Sequence, residues 1–505
     1  MNLMIVPILV PAIIAALCLF RPIRLSRWAR RLSLGSTLVI LISALLLFLS
    51  ARDGTISTYE LGDWPAPFGI VMVLDRLSAM MVLLTSLLAL AVLGHAVMTG
   101  LDRRGWHFHP LFQFQLLGLN GAFLTGDLFN LFVFFEVLLI ASYGLMLHGQ
   151  GAERLHAGVK YVVVNLVGST LFLIAVGILY GVTGTLNMAD MAQRVAEASP
   201  GDQPLIRAGA QLLMAVFALK AALLPLHLWL PQTYARTSAP VAALFAILTK
   251  VGVYSILRVT ILIFGEDAGA VAWAPAGWML PASILSIAAG FIGVLAARRM
   301  RVLSAFAVIG STGTLLVAVS VFEPAATSAA LYYLPHSTLA GAMLFLVTDL
   351  IVRGRSEGED WLRPGAPFAG MAQLSALFLL AAIAMAGLPP LSGFIGKLLI
   401  LDATAANHAA PWIWGAILGG TFLAILGLAR AGSTLFWKSA DGEMIPGAKA
   451  LQPRVFVPAW GLFALLAALT VFAGPASDYA EATVQQIYDR GAYIDAVLGT
   501  DRSGS

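Results

Sequence analysis

Four charged side chains stand inside runs that are otherwise almost wholly apolar: Glu136, Lys220, Lys250 and Lys397. Glu136 follows Phe132, Phe134 and Phe135 and precedes Leu138 and Leu139. An ionised carboxylate does not stay in such surroundings unless something pairs with it or solvates it. A buried ammonium loses hydration but gains from a nearby carboxylate. A lysine between those two pushes can take up and release a proton at modest cost. Arginine could not do this, because its guanidinium stays protonated. Snorkelling or a structural ion pair would explain any one of these residues taken alone. The four together point to proton or cation movement.

Other ionisable groups lie nearby in the sequence. His336, flanked by Pro335 and Ser337-Thr338, falls between Lys250 and Lys397. Imidazole titrates near neutral pH, so this residue is either a relay between the lysines or a satisfied structural histidine. His227 follows Lys220 by seven residues but beyond a proline, which leaves its facing open. Asp349 either serves proton entry from one side or pairs with Arg353 four residues on, and the pairing is the simpler reading. Asp75 and Arg76 read as an interfacial pair. Arg258 reads as an anchor near the outer side.

Such residues need elements that hold them at membrane depth. The chain has 505 residues, of which 59% are hydrophobic and 11% charged. A soluble domain carries about 25% charged residues. This balance excludes a cytoplasmic enzyme, a nucleic-acid-binding protein and a disordered chain, and leaves an all-α polytopic membrane protein. Runs such as Leu41 to Leu49 do not alternate polar with apolar residues, so a β-barrel is excluded too. Fourteen stretches have the length and apolarity of spans. They lie near 3–20, 33–51, 72–97, 110–126, 128–147, 158–182, 205–230, 239–264, 274–296, 302–322, 327–352, 369–402, 411–436 and 454–474. Glu136, nine residues after Asp127, would lie about 13 Å deep at the α-helical rise, close to the membrane centre.

The loops carry an independent signal. Alternate loops hold 19 of the 30 lysines and arginines, including Arg21, Arg24, Arg103, Arg154, Arg299, Arg301 and Lys449. The opposite loops and the tail hold few, among them Arg52, Arg207 and Arg502. Basic loops stay in the cytoplasm, so both termini are expected outside. The single cysteine, Cys18, leaves no thiol set for a disulfide, an iron–sulfur cluster or a multi-cysteine metal site. No cofactor and no metal site is expected. The tail spaces Tyr479, Val484, Ile487, Tyr488, Ile494 and Val497 as an amphipathic helix would, lying on the outer surface.

Two spans are broken by proline. Span seven reads Lys220-Ala-Ala-Leu-Leu-Pro225-Leu-His-Leu-Trp-Leu-Pro231, and span twelve reads Gly387-Leu-Pro-Pro-Leu-Ser-Gly-Phe-Ile-Gly-Lys397. Proline removes a backbone donor and kinks a helix, and unpaired backbone at that depth survives only beside protein or water. Breaks five spans apart predict two five-helix repeats, spans 4–8 and 9–13. Five is odd, so the second repeat runs inverted, an arrangement found around midplane sites in transporters. The expected organisation is an N-terminal three-helix segment (1–109), a first repeat (110–264), a second repeat (274–436), and a last helix with an outer tail (437–505).

These residues resemble those of a known family. The stretch Gly126-Asp-Leu-Phe-Asn-Leu-Phe-Val-Phe-Phe-Glu136, Lys220 with its Pro-Leu-His-Leu-Trp-Leu-Pro, Lys250 after Leu-Thr, and Pro389-Pro-Leu-Ser-Gly-Phe-Ile-Gly-Lys397 are similar to the antiporter-like membrane subunits. That family serves Mrp-type (Mnh, Pha) monovalent cation/proton antiporters and respiratory NADH–quinone oxidoreductase. The tail Tyr493-Ile-Asp-Ala-Val-Leu-Gly499 is similar to that of its D-type antiporter members. The resemblance implies that Glu136 and Lys220 are a carboxylate–lysine pair, that Lys250 bridges two halves, and that His336 and Lys397 continue a hydrated proton axis. It also implies a bacterial cytoplasmic membrane, exchange of H⁺ for Na⁺ or K⁺, and partners in the large A subunit and small membrane subunits of the same complex. A proton-pumping subunit of a redox complex is the alternative that the same resemblance carries.

Overall fold

The computed structural model of the protein describes residues 3–20, 27–274, 276–355, 360–438 and 451–499. Arg21, Arg24, Lys449 and Arg502 of the charge count lie outside the described residues. The chain begins with α1 (Val6–Leu19), α2 (Arg27–Ser50), α3 (Arg76–Met98) and α4 (Phe108–Leu124). There follow α5 (Leu128–Leu147), α6 (Ala152–Thr183), the short α7 (Met188–Ala196), α8 (Gln203–Lys220), α9 (Trp229–Arg236), α10 (Ala239–Phe245) and α11 (Leu248–Phe264). The second half holds α12 (Met279–Ala296), α13 (Met300–Val319), α14 (Pro324–Gly354), α15 (Met371–Ala386), α16 (Ser392–Ala403), α17 (Ala410–Gly432) and α18 (Val457–Val471). Two terminal helices, α19 (Ala473–Tyr488) and α20 (Arg490–Leu498), complete the described chain.

Among the described residues, ten helical segments are long and apolar enough to cross a membrane, with α10 and α11 counted as one. The other four expected stretches are the shorter α1 and α4 and the interrupted pairs α8–α9 and α15–α16. The interior is set by α10–α11, α13 and α14, whose most apolar windows are at least 89% buried. In α2, α6, α12, α17 and α18 no more than 39% of that window is buried. Their outward faces carry Leu38, Leu166, Leu285 and Phe422, an apolar surface suited to lipid.

One expectation is corrected at span three. Residues Val71–Leu74 are not helical but pair antiparallel with Ser57–Glu60, Ser57 standing opposite Leu74. A four-residue apolar run has no periodicity that separates strand from helix. The helix begins at Arg76, after Asp75 has capped it: the Asp75 carboxylate accepts from the Ser78 amide at 2.8 Å, and the Ser78 hydroxyl accepts from the Asp75 amide at 2.9 Å.

The two proline breaks are built alike. Helix α8 ends with Ala222 at φ +55°, its amide bonded to Leu219 O and the Leu223 amide to Ala218 O. Helix α15 ends with Gly387 at φ +71°, its amide bonded to Ala384 O and the Leu388 amide to Ile383 O. This pair of backward bonds closes a helix in the left-handed conformation. A proline stands three residues after the left-handed residue in both, at Pro225 and Pro390. A third irregularity, without proline, separates α10 from α11, where the amides of Ala246, Ile247 and Lys250 bond three residues back.

Tail helices α19 and α20 pack on protein rather than lying free on a surface. Ala480, Thr483, Val484, Ile487, Tyr493 and Val497 are buried. Arg76 donates to Ala482 O at 2.9 Å, and Arg490 donates to Leu262 O at 2.7 Å.

Candidate functional site

The ionisable groups picked out from the sequence are strung between helix ends and hydroxyl-bearing faces. Glu136, on α5, accepts a hydrogen bond from the Ser169 hydroxyl of α6. Lys220, the last residue of α8, donates to Asn165 Oδ1 at 3.1 Å, and its ammonium lies 6.0 Å from the Phe135 ring centre. Ser169 and Asn165 are four residues apart and share one face of α6. The glutamate and lysine are thus held by the same helix, one turn apart, and do not form a direct ion pair. Where the resemblance implies a pair, the two side chains are instead each bonded to α6.

A narrow cavity continues from Lys220. Asn165, Tyr161, Phe135 and Trp229 line it together with Leu248 and Val251 of α11. Between those last two in sequence stands Lys250, fully buried, donating to Thr249 Oγ1 and Thr312 Oγ1 at 3.3 Å each. Thr312 adjoins Ser311 on α13, and the Ser311 hydroxyl donates to Ser337 Oγ of α14 at 2.8 Å. The Tyr333 hydroxyl lies 3.1 Å from the same Ser311 oxygen. Next to Ser337 is His336, with Nε2 3.1 Å from Ala384 O and Nδ1 2.9 Å from Ser392 Oγ. A carbonyl only accepts, so Nε2 carries the hydrogen and Nδ1 is free to accept from the serine hydroxyl. Ser392 opens α16, on which Lys397 lies five residues further.

Lys397 donates to Ala386 O at 2.8 Å and to Thr421 Oγ1 at 2.7 Å, with the Phe291 ring centre 5.6 Å away. Ala386 is the last residue of α15, so this ammonium sits on the carbonyl end of a half-helix. Lys220 occupies the carbonyl end of its own half-helix, α8. Helix C-termini carry partial negative charge and favour cations. The broken span thus supplies Lys397 with a backbone partner, whereas the Lys220 ammonium is met by the Asn165 side chain of α6.

Comparison with known proteins bears on what such an axis belongs to. Residues 125–426 match the family model described as "NADH:quinone oxidoreductase/Mrp antiporter, TM". A probable K⁺/H⁺ antiporter subunit of the D type from Rhizobium meliloti (strain 1021) is 42% identical, covering 100% of this chain and 99% of the relative. The chain belongs to this membrane-subunit family. A D-type Na⁺/H⁺ antiporter subunit of Alkalihalophilus pseudofirmus is 36% identical, with 98% of this chain and 99% of the relative covered. Among solved structures, a chain of the Mrp complex from Dietzia sp. DQ12-45-1b superposes with a TM-score of 0.86 at 26% identity, covering 98% of this chain and 99% of that one. Within the family, the full-length likeness of this member is to D-type antiporter subunits, while the redox-complex reading shares the fold.

In this family member the secondary candidates lie apart from the axis. His227 sits in the turn Leu226–Leu228 with Nδ1 unpartnered, making no hydrogen bond to any of the lysines. Asp349 does accept from Arg353 Nε at 2.6 Å, as its spacing predicts, but it also bonds His95 Nε2 at 3.0 Å. Asp75 is not paired with its neighbour Arg76. Its carboxylate meets Arg258 at 2.6 Å, both buried, and the guanidinium lies 5.5 and 5.2 Å from the Tyr254 and Tyr493 ring centres. Adjacent residues on a helix point to different faces, whereas a buried charge must be met from another element. The polar links Asn165, Ser169, Thr249, Ser311, Thr312, Tyr333, Ser392 and Thr421, and the buried His95, do not stand out in the sequence. Their signal there is slight, because hydroxyls within helices commonly bond their own backbone.

Proposed function

We propose that the chain is the proton-translocating D-type subunit of a multisubunit monovalent cation/proton antiporter, and so a transporter subunit rather than an enzyme. Protons move along Glu136, Lys220, Lys250, His336 and Lys397, and the complex exchanges them for Na⁺ or K⁺. The observation that carries this reading is the succession of titratable groups, the three lysines and His336 buried and each held by amide or hydroxyl partners, in a chain whose full-length relatives are named K⁺/H⁺ and Na⁺/H⁺ antiporter subunits. The partners are the large A subunit and the small membrane subunits of the same complex.

The geometry suits an open state of the first pair. Bringing Glu136 and Lys220 to about 4 Å would change their interaction by about 4 kcal/mol at an effective dielectric near 20. At about 1.4 kcal/mol per tenfold, that is roughly a thousandfold in the proton affinity of Lys220. A closing pair holds the proton on Lys220; an opening pair releases it towards Lys250 and then His336.

The same reading includes fourteen crossings with both termini outside, and two inverted repeats spanning 110–264 and 274–436 between the segments 1–109 and 437–505. The matching closures at Ala222 and Gly387, each with its proline three residues on, support the repeat. The test is proton flux in inverted membrane vesicles carrying Glu136→Ala or Lys220→Ala in the whole complex. Flux should fall to background with assembly retained. Normal flux at normal assembly would overturn the proposal.

A further inference from the structure

A second polar site lies on the face of the basic loops, away from the lysine axis. Four arginines from three separate stretches of chain converge on one cavity of about 480 Å³: Arg154, Arg236, Arg299 and Arg301. Its volume is that of a small-ligand pocket. Two carboxylates share the lining, and each is already engaged. Glu153 pairs with Arg236, and Asp360 lies 3.5 Å from Arg299, whose guanidinium also stacks 4.4 Å over Trp361. Among the described residues, Arg154 and Arg301 have no carboxylate partner. Arg154 spends two donors on the backbone oxygens of Arg236 and His148. Arg301 keeps a buried Nε with no hydrogen-bond partner. A buried donor left unmade costs free energy, and two unneutralised guanidiniums facing one space repel each other.

The first turn of α6 lines the same space through Gly151, Ala152, Glu153 and Arg154. That helix is 32 residues long and its N-cap, Gly151, offers no side-chain oxygen to the free amides. The end of a helix adds positive potential to that of the arginines. Arginines that answered only to membrane topology would extend into water on separate loops. These instead line one cavity together.

We propose that the cavity is an anion site for a phosphate group, taken from an anionic phospholipid of the adjoining leaflet or from free phosphate. Guanidinium forks match phosphate oxygens in geometry as well as charge. Arg154 and Arg301 are the primary ligands, with the amides of the α6 first turn beside them. Arg154 belongs to the first half of the chain and Arg301 to the second, so an occupied site ties the two halves together at this face.

The test uses the full-length chain in the assembly extracted from membranes, reconstituted in phosphatidylcholine nanodiscs. Thermal melting is measured in one arm after adding phosphatidylglycerol or cardiolipin to the disc, and in the other after adding inorganic phosphate against chloride of equal ionic strength. Retained lipid is read by native mass spectrometry. The wild type should melt higher in one arm, and which arm responds identifies the source of the phosphate. Arg154→Gln with Arg301→Gln should lower apparent affinity at least tenfold, while the double lysine variant keeps part of it and shows that the site still folds. No response of the wild type in either arm overturns the proposal. So does an unchanged response in the glutamine variant. Loss of a neighbouring subunit from that variant, with phosphate and lipid responses intact, also overturns it and assigns the cavity to an acidic protein segment.

Discussion

At the scale of residues, the proposed axis rests on ammoniums whose acceptors do not hold the proton permanently. Asn165, Thr249, Thr312 and Thr421 accept hydrogen bonds but are not bases near neutral pH. Lys220→Arg tests this directly. The guanidinium keeps the charge and can still reach Asn165, but it does not deprotonate. Proton flux should fall to the level of Lys220→Ala while the assembled complex stays at wild-type abundance on a native gel. Asn165→Leu should be milder: Lys220 loses its acceptor, and flux should drop several-fold rather than vanish. The glutamate and lysines are legible in the sequence because a charge within an apolar run is rare and expensive. The links are not. Ser311 and Thr312 look like any helical hydroxyls, and only the approach of α14 and α11 makes them a bridge. His95 is illegible for the same reason, since its partner Asp349 lies 254 positions away.

At the scale of elements, the broken helices set where the lysines end. Ala222 adopts φ +55° and Gly387 φ +71°, so the two closures differ in how well their residue suits the left-handed region. Ala222→Gly should be neutral or stabilising by up to about 1 kcal/mol, because the strain on a Cβ-bearing residue is removed. Gly387→Ala should do the reverse. Its new Cβ would meet Cδ, Cε and Nζ of Lys397 at 2.8–3.0 Å, on top of about 1–2 kcal/mol of backbone strain. A lower melting temperature with sharply reduced flux is expected for Gly387→Ala, and unchanged flux for Ala222→Gly. Proline spacing alone marks both breaks. The α10–α11 irregularity carries no proline or glycine at the displaced amides, and the sequence holds no sign of it. The strand at Val71–Leu74 is hidden for a different reason: its pairing partner is Ser57–Glu60, and apolar content alone does not distinguish a strand from the start of a helix.

At the scale of the whole molecule, the end beneath the tail helices is fastened by charge and the interior by apolar packing. The buried Asp75–Arg258 pair joins α3 to α11 beneath the tail, where Tyr493 of α20 covers the guanidinium. Removing one partner strands the other, which costs about 3–5 kcal/mol in buried pairs. Asp75→Asn should therefore lower the melting temperature of the complex and increase protease access to the tail helices; an unchanged melt would show that the pair is not needed for docking. The division into lipid-facing and enclosed helices is foreshadowed by composition, but which helices lie inside is not. Leucine-rich α2 and the small-residue-rich α14 are both apolar, yet only the second is enclosed.

The carbonyl end of α15 has a further consequence. It acts towards the Lys397 ammonium, which donates to Ala386 O, as a counter-ion of roughly half an elementary charge. Unlike a carboxylate, a peptide carbonyl is not neutralised by acid. Acidification can then load this lysine without first erasing the field that receives it. Such a field is a permanent bias, sensitive to the position of a helix end but indifferent to pH. Regulation at Lys397 would accordingly act through displacement of the half-helix, measured in fractions of an ångström, sooner than through the chemistry of the surrounding water.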